Sequence, residues 1–427
     1  MTSVALSYGR GQVEVPLAGA TFLGILAPKA APPIERPEEA IRNCLRAPNA
    51  GPPLKQAATG GRNAAVLVSA RDRVTGSDVF VTVVADELNA AGIPDEAITV
   101  YIASGTHQKQ TAEDIRGLLG SEGVERLRCV QHDPKDADNL VHLGTTSLGT
   151  PIRINRVVHQ TDVKILTGRI THHYFAGFSG GRKAIAPGVS SFETITANHR
   201  RVMRSDGCGR DVRARAGNLV DNPIHLDMLE IAHQASPTFC LNTVLNVGHE
   251  ITHVFAGDYL AVHADGSRLV DTLFRVQPSM PADIVVASCG GWPYDISFMQ
   301  VIKTIVSAEA AVRDGGVLIV LGECERGLEQ GFREWFQIPT REELNRAVLA
   351  SYNLKGHNSY WIREIQARIR LVLVSRLPDS DVEALGCSPA RSASDAMRIA
   401  RDLVGGAPSI AAVPYGNVTN IARLQDG

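Results

Sequence analysis

Short apolar runs alternate with helix-length segments through most of this 427-residue chain, and that alternation restricts the fold more than any other feature. Ala64–Ala70 is a compact apolar run, and Asp78–Ala91 follows with Val79, Val83, Leu88 and Ala91 at helical spacing. Ile98–Ala103 reads as the next strand, Ala112–Leu119 as the next helix, and Val163–Thr167 as a further buried strand. Strands separated by helices pair in parallel and are covered on both faces. The fold class is therefore α/β, with mainly parallel sheets. Ligands in such sheets sit beyond the carboxyl ends of the strands. Three polar loops leave such ends: Arg71–Gly76, Ser104–Gln108, and the one that leaves the third strand after Leu166 and runs into His172–Lys183. They should converge on one crevice.

The alternation has one interruption. Gln277-Pro278-Ser279-Met280-Pro281 places two prolines in five residues before a fresh strand at Asp283–Ser288, which predicts domains at 1–276 and 282–427. The second alternates again: helix Ser297–Arg313, strand Val317–Leu321, helices Arg341–Ala350 and Ser359–Arg370, strand Leu371–Ser375, helix Ser392–Val404 and strand Ser409–Val413. Residues 1 to 60 begin with short strand-like pieces and pass into a Pro/Ala/Gly-rich region, read as a connecting arm on the surface.

A hydrophobic fraction of 44% and a charged fraction of 21% describe a globular protein, and a net charge of −2 gives no reason to expect nucleic acid or an anionic membrane as partner. No apolar run approaches the length of a membrane span, and the amino terminus lacks a signal pattern. The seven cysteines are scattered and never spaced C-x-x-C, which argues against a disulfide framework and against structural zinc. A reduced, cytoplasmic enzyme is expected.

Chemistry is densest in Thr171-His172-His173-Tyr174-Phe175-Ala176-Gly177-Phe178-Ser179-Gly180-Gly181-Arg182-Lys183. Glycines around Ser179 would let a backbone approach a ligand and turn N–H groups toward an anion, which makes Ser179, Gly180 and Gly181 candidate cofactor contacts. Lysine is scarce here, eight among 43 basic residues, yet one stands at 183 beside Arg182. An amine can form covalent bonds that a guanidinium cannot. Lys183 is thus a solvated or phosphate-pairing lysine, or a covalently modified one. A Walker A loop is excluded, because Ala184 follows the lysine and Arg182 separates it from Gly181. His172 and His173 are adjacent, so on an extended backbone at most one faces the crevice. His199 stands alone, with no H-x-x-x-H spacing and no nearby cysteine, so a metal there would need donors from outside the protein.

His-Tyr-Phe-Ala-Gly-Phe-Ser-Gly-Gly-Arg-Lys, with Pro187-Gly188 and Asn198-His199 beyond it, resembles the signature of the nickel-dependent lactate racemase family, the nickel-pincer nucleotide racemases and epimerases of 2-hydroxy acids. The resemblance runs from the Asp72 loop to the Trp361 region. It implies two α/β domains facing each other across a cleft, with the cofactor on the first. That cofactor is a pyridinium mononucleotide with two sulfur-bearing arms, made by dedicated maturation enzymes. One arm is joined as a thioamide to the lysine matching Lys183; nickel sits between the sulfurs and a ring carbon, with the imidazole matching His199 completing a planar site. Such soft donors in that geometry suit Ni(II). Asp72 falls among the cofactor contacts. The resemblance also selects His173 over His172 and pairs it with His107 of Ser104-Gly105-Thr106-His107. Each would serve one enantiomer as general base and the other as general acid while the substrate hydride moves to the cofactor ring. Gly290-Gly291-Trp292-Pro293-Tyr294-Asp295 matches the family's lead-in to a helix carrying Gln300 and Lys303, which share one face. Lys303 is a candidate catalytic and substrate contact, and Trp361 a candidate pocket wall.

One loop departs from the pattern. The family reads Asp-x-Thr-Arg there, the arginine gripping the substrate carboxylate; this chain reads Asp72-Arg73-Val74-Thr75-Gly76. Arg73 or Lys303 must then hold the carboxylate, and Thr75 leaves room and a hydroxyl for a longer substrate. The expected substrate is a 2-hydroxy acid other than lactate. Two rivals remain on the sequence alone: a non-catalytic nucleotide- or phosphate-binding protein, and a pyridoxal phosphate enzyme using Lys183.

Overall fold

The computed structural model describes residues 2–207 and 209–423, apart from the side chain of Asp72. Two compact units emerge, and neither is contiguous: one holds residues 30–201 and 212–272, the other 1–29, 202–211 and 273–427. The break near 273 lies close to the proline-marked boundary. The division expected at 1–276 and 282–427 still needs correcting at its start, because the first 29 residues belong with the C-terminal unit. There Ser3–Tyr8 and Gly11–Pro16 pair antiparallel, and Thr21–Ile25 adds an edge strand to the sheet. The first two strands bury Val4, Leu6 and Val15, and Leu17 just beyond them, in the same core as Ile284, Val286 and Met397. That burial explains why they pack there and do not form a surface arm.

The unit built on residues 30–201 and 212–272 carries a six-stranded sheet. Its order is Ile251–Gly257, Phe239–Leu245, Val163–Arg169, Ala64–Val68, Ile98–Ile102, Arg128–Gln131. All pairs are parallel except the one at the Ile251 edge. The chain runs outward from the Ala64 strand through the Ile98 and Arg128 strands, then crosses to the Val163 strand on the other side. The strand order therefore reverses between the Ala64 and Val163 strands, where crevices form at the carboxyl edge. Both central strands are buried along their whole length; Ala64–Val68 reads as a continuous apolar run without alternation, while Val163–Arg169 also buries Lys164, Thr167 and Arg169.

The other unit repeats the plan with a wholly parallel sheet ordered Ser388–Ala390, Arg370–Val374, Val312–Leu321, Ala282–Ser288, Ser409–Val413, Thr21–Ile25. Its reversal lies at the Ala282 strand, whose carboxyl end feeds the Gly290–Asp295 turn and the Phe298–Ala308 helix. Among the described residues no helix is long and apolar enough to cross a membrane.

Candidate active site

The loop leaving the Val163–Arg169 strand is closed against its own sheet. Ser179 Oγ donates to the Arg169 carbonyl at 2.7 Å and accepts the Thr171 N–H at 3.0 Å. The Gly181 N–H donates to Asn242 Oδ1 at 2.8 Å, and the Ser179 N–H to the Thr171 carbonyl. The expectation that these N–H groups are turned toward an anion is therefore corrected: at Ser179 and Gly181 they serve the protein's own acceptors. The glycines answer a packing demand. Gly180 and Gly181 have positive φ, and a Cβ on Gly180 would sit 2.8 Å from Asn242 Oδ1 and 2.9 Å from Ile170.

Arg182 straps the loop from beneath. Fully buried, it donates to the carbonyls of Phe178 (3.0 Å) and Ala176 (2.9 Å), and to His263 Nε2 at 2.6 Å. His263 stacks on His225. Burial first, then the Arg182 charge, push His225 down to about 3 and His263 well below its ordinary range, so both are neutral. Lys183, next in the chain, lies half-buried in the one-turn segment Gly181–Ala184.

The histidine pair splits as an extended backbone requires. His172 Nε2 lies 3.0 Å from Asp271 Oδ1, while His173 Nδ1 accepts the Ala176 N–H at 3.2 Å. A neutral His173 therefore carries its proton on Nε2. Its ring meets Phe175 edge-on at 4.5 Å, and Phe175 meets the His199 ring at 5.1 Å. His199 ends the Phe192–His199 helix, which Ser191 caps through the Thr194 N–H. Its pKa is pushed down to about 3, chiefly by burial and then by the charges of Lys183 and His107, against a hydrogen bond with the Ile195 carbonyl that raises it. A neutral imidazole with a lone pair is what a metal needs.

The His107 loop docks onto the same ground. The Gly105 N–H donates to the Gly188 carbonyl at 2.9 Å, and Gly105 sits so close to Pro187 that a Cβ would approach it to 3.3 Å. His107 itself is exposed, and Arg73 Nη2 reaches its Nε2 at 3.1 Å. Arginine only donates, so a neutral His107 accepts there, the opposite arrangement to His173. Thr75 is 4% exposed; its carbonyl accepts from Thr243 Oγ1, and its own hydroxyl has no hydrogen-bond partner among the described residues. The Asp72 side chain lies outside the described residues. Sequence pattern did not single out Asn242, Asp227, His225 or His263, since lone polar residues on buried elements carry no spacing signal. Arg169 at the end of its strand, in register with Thr243, was missed for the same reason.

In the other unit, Asp295 is fully buried and accepts the Gly9 N–H (2.6 Å) and the Glu323 N–H (3.3 Å), fixing the turn that precedes the Phe298–Ala308 helix. On that helix Lys303 Nζ donates to Gln300 Oε1 at 2.5 Å. Trp361 is 4% exposed beneath the Arg210 guanidinium, 3.7 Å from its ring centroid; in this unit it is a covered aromatic. Among the described residues no group of three or more His, Cys, Asp or Glu is placed to hold a metal ion, so a metal on His199 would take its other donors from a bound group.

Residues 8–210 match the lactate racemase N-terminal domain, and residues 277–421 match the lactate racemase C-terminal domain. The chain is 31% identical to lactate racemase from Thermoanaerobacterium thermosaccharolyticum over 97% of its own length and 98% of the relative's. It is 29% identical to lactate racemase from Lactiplantibacillus plantarum, over 97% and 99%. The fold matches the lactate racemase apoprotein of T. thermosaccharolyticum with a TM-score of 0.89 at 28% identity, covering 99% of this chain and 100% of that one. A Thermotoga maritima protein shares the fold alone, with a TM-score of 0.67 at 17% identity over 90% and 98%. Matched along nearly its whole length, the chain belongs to the lactate racemase family and is a racemase-type isomerase.

Proposed function

We propose that this protein inverts the hydroxyl-bearing carbon of a 2-hydroxy acid other than lactate, using a nickel-pincer nucleotide carried on Lys183. The observation that supports this most is the shared neighbourhood of His107, Lys183 and His199, with the His173 ring joined to it through Phe175. When bound, the cofactor supplies an acceptor for the C2 hydride, which spares the protein from deprotonating a weakly acidic C–H. Lys183 would hold it covalently, and His199 would ligate its nickel.

The remaining work falls to the protein's own side chains. In their neutral forms His107 would accept at Nε2 from Arg73 and His173 would carry its proton on Nε2, so that one can take a proton and the other give it. A substrate carboxylate arriving at Arg73 competes for the guanidinium that now occupies His107 Nε2, and so frees that nitrogen as the base for the substrate hydroxyl. His173 then returns a proton to the carbonyl oxygen once the keto group has turned. Lys303, steadied by Gln300, is the second candidate for the carboxylate. The test is to co-express the protein with maturation enzymes and measure nickel content, intact mass and racemisation across a panel of 2-hydroxy acids. A nucleotide-sized adduct with nickel and turnover is expected. Release of an adduct by hydroxylamine would instead indicate pyridoxal phosphate, and absence of turnover with every acid would leave only a binding protein.

A further inference from the structure

We infer that Asn198, held in place by the buried Asp227, is the positioning residue that presents His199 with its lone pair on Nε2. The inference rests on the reading of His199 as metal ligand. A neutral imidazole has two tautomers, and only one leaves Nε2 able to bind a metal. His199 Nδ1 lies 3.1 Å from Asn198 Oδ1. Which end of that amide faces the ring is settled by its other end. Asn198 Nδ2 is 2.8 Å from Asp227 Oδ2 and 3.2 Å from the Ile224 carbonyl, and both of those atoms only accept. The amide oxygen therefore faces His199, and a carbonyl oxygen obliges Nδ1 to carry the proton.

The proton directions can be followed further back. Asp227 is fully buried; it accepts from Thr146 Oγ1 at 2.6 Å and Thr150 Oγ1 at 2.8 Å, and pairs with Arg201 at 3.3 Å. Neither hydroxyl is free to turn round. Thr146 Oγ1 already accepts the Thr150 N–H, and Thr150 Oγ1 already accepts from Arg201 Nη2 at 2.8 Å. Donors on both sides thus converge on the Asp227 carboxyl, from Arg201 through Thr150 and from His199 through Asn198. Burying a carboxylate is costly unless it is fully paired, and here the pairing fixes one side chain's proton at the head of the chain. Such outer partners of ligating histidines fix the ring's tautomer and orientation.

The first experiment needs no cofactor. Nitrogen-15 NMR of histidine-labelled, cofactor-free protein reads the His199 tautomer, assigned by its loss in His199→Gln. Wild type should be almost wholly in the Nδ1–H form and Asn198→Ala a mixture. Asp227→Asn, which offers a donor where the carboxylate only accepts, should move further toward Nε2–H. Circular dichroism identifies any variant that fails to fold, and Asn198→Ala alone is sufficient. In protein loaded by maturation enzymes, Asn198→Ala should lose nickel to a chelator roughly ten- to a hundred-fold faster, while the mass of the Lys183 adduct stays unchanged. An Nε2–H form in wild type, or an unaltered tautomer in Asn198→Ala, overturns the inference. Full nickel retention in His199→Ala would instead overturn the ligand reading, and the tautomer result would stand apart from it.

Discussion

Two loops meet at the reversal of the first sheet, and they are built differently. The one after the Val163–Arg169 strand is fixed from every side: Ser179 to Arg169, Gly181 to Asn242, and Arg182 to two carbonyls of the same loop. The one after the Ala64–Val68 strand is tied through both backbone and side chain, the Arg71 guanidinium donating to the Gly117 carbonyl. The Arg71 N–H reaches Gln110 Oε1, and the Thr75 carbonyl accepts from Thr243. Its Arg73 side chain extends to His107. A loop closed on its own sheet holds one geometry and tolerates little change. In the other loop the Thr75 backbone is held while its hydroxyl is unbonded among the described residues, so the side chain there can be exchanged without moving the path. The first is suited to fixing where the chemistry happens, and the second to setting what it happens to.

The sharpest way to break this contrast is at Lys183. Lys183→Ala should abolish covalent retention of the nucleotide, and Lys183→Arg should do the same, because a guanidinium does not form the thioamide. Intact mass reads both. An active Lys183→Arg would return the residue to a phosphate contact and remove the fixed loop's special role. His107→Ala and His173→Ala come next. Each should keep nickel and adduct while losing on the order of a hundred- to ten-thousand-fold in turnover. Full racemisation by either variant would contradict a two-histidine exchange.

The sequence signals differed between these loops for a physical reason. Strand periodicity alone placed the three polar loops at one sheet edge, because buried parallel strands are mostly apolar and the loops at their carboxyl ends are where polarity is concentrated. The role of Gly180 and Gly181 could not be read that way. A glycine required by Asn242 and Ile170 looks, in one dimension, the same as a glycine required by a phosphate. His172 and His173 could be separated by alternation, and they do part, one to Asp271 and one to the Ala176 N–H. Asp227 gave no signal at all. Its partners Thr146, Thr150, Asn198 and Arg201 lie up to 81 positions away in the chain, and only the fold gathers them. The strands at residues 3–25 were visible as strands, but which sheet they joined depended on a core formed nearly three hundred residues later.

A smaller effect tests how tightly the first loop is strapped. Arg182→Met would remove the guanidinium donors from the carbonyls of Phe178 and Ala176, the latter keeping only the Phe178 N–H, a loss on the order of 2–4 kcal/mol in urea unfolding. The histidines behind Arg182 add a pH signature. Above the ordinary histidine value of 6.5, His225 and His263 are neutral in both states and contribute no pH dependence. Below it the unfolded chain takes up protons that the folded protein refuses, so stability falls as pH drops from 6.5 toward 3. The slope is about 1.4 kcal/mol per pH unit for each histidine. Unfolding midpoints between pH 7 and 5 should show a shallower decline in His225→Gln. An unchanged slope would mean that His225 is protonated in the folded state.

The smallest effect should appear as an order of preference. Thr75 occupies the position where the family's loop offers an arginine, and here it is nearly buried, its carbonyl held by Thr243 and its hydroxyl without a partner among the described residues. Arg73, two residues earlier, instead brings a guanidinium to His107. A bidentate arginine is among the strongest carboxylate contacts. A small acid with no other polar group loses most when that contact is moved, whereas a longer one with further hydroxyls can recover binding elsewhere. Lactate should therefore rank below a polyhydroxy acid of the aldonate type in a panel run on loaded protein. Thr75→Arg should raise lactate within the order, and Arg73→Gln should lower kcat/KM for every acid by a similar factor, because it removes a shared contact. Arg73→Gln also removes the guanidinium from His107 Nε2, so its pH profile should shift while that of Thr75→Arg stays in place. If lactate heads the wild-type panel, or Thr75→Arg leaves the order untouched, the second loop does not select the substrate, and Lys303 becomes the residue to vary.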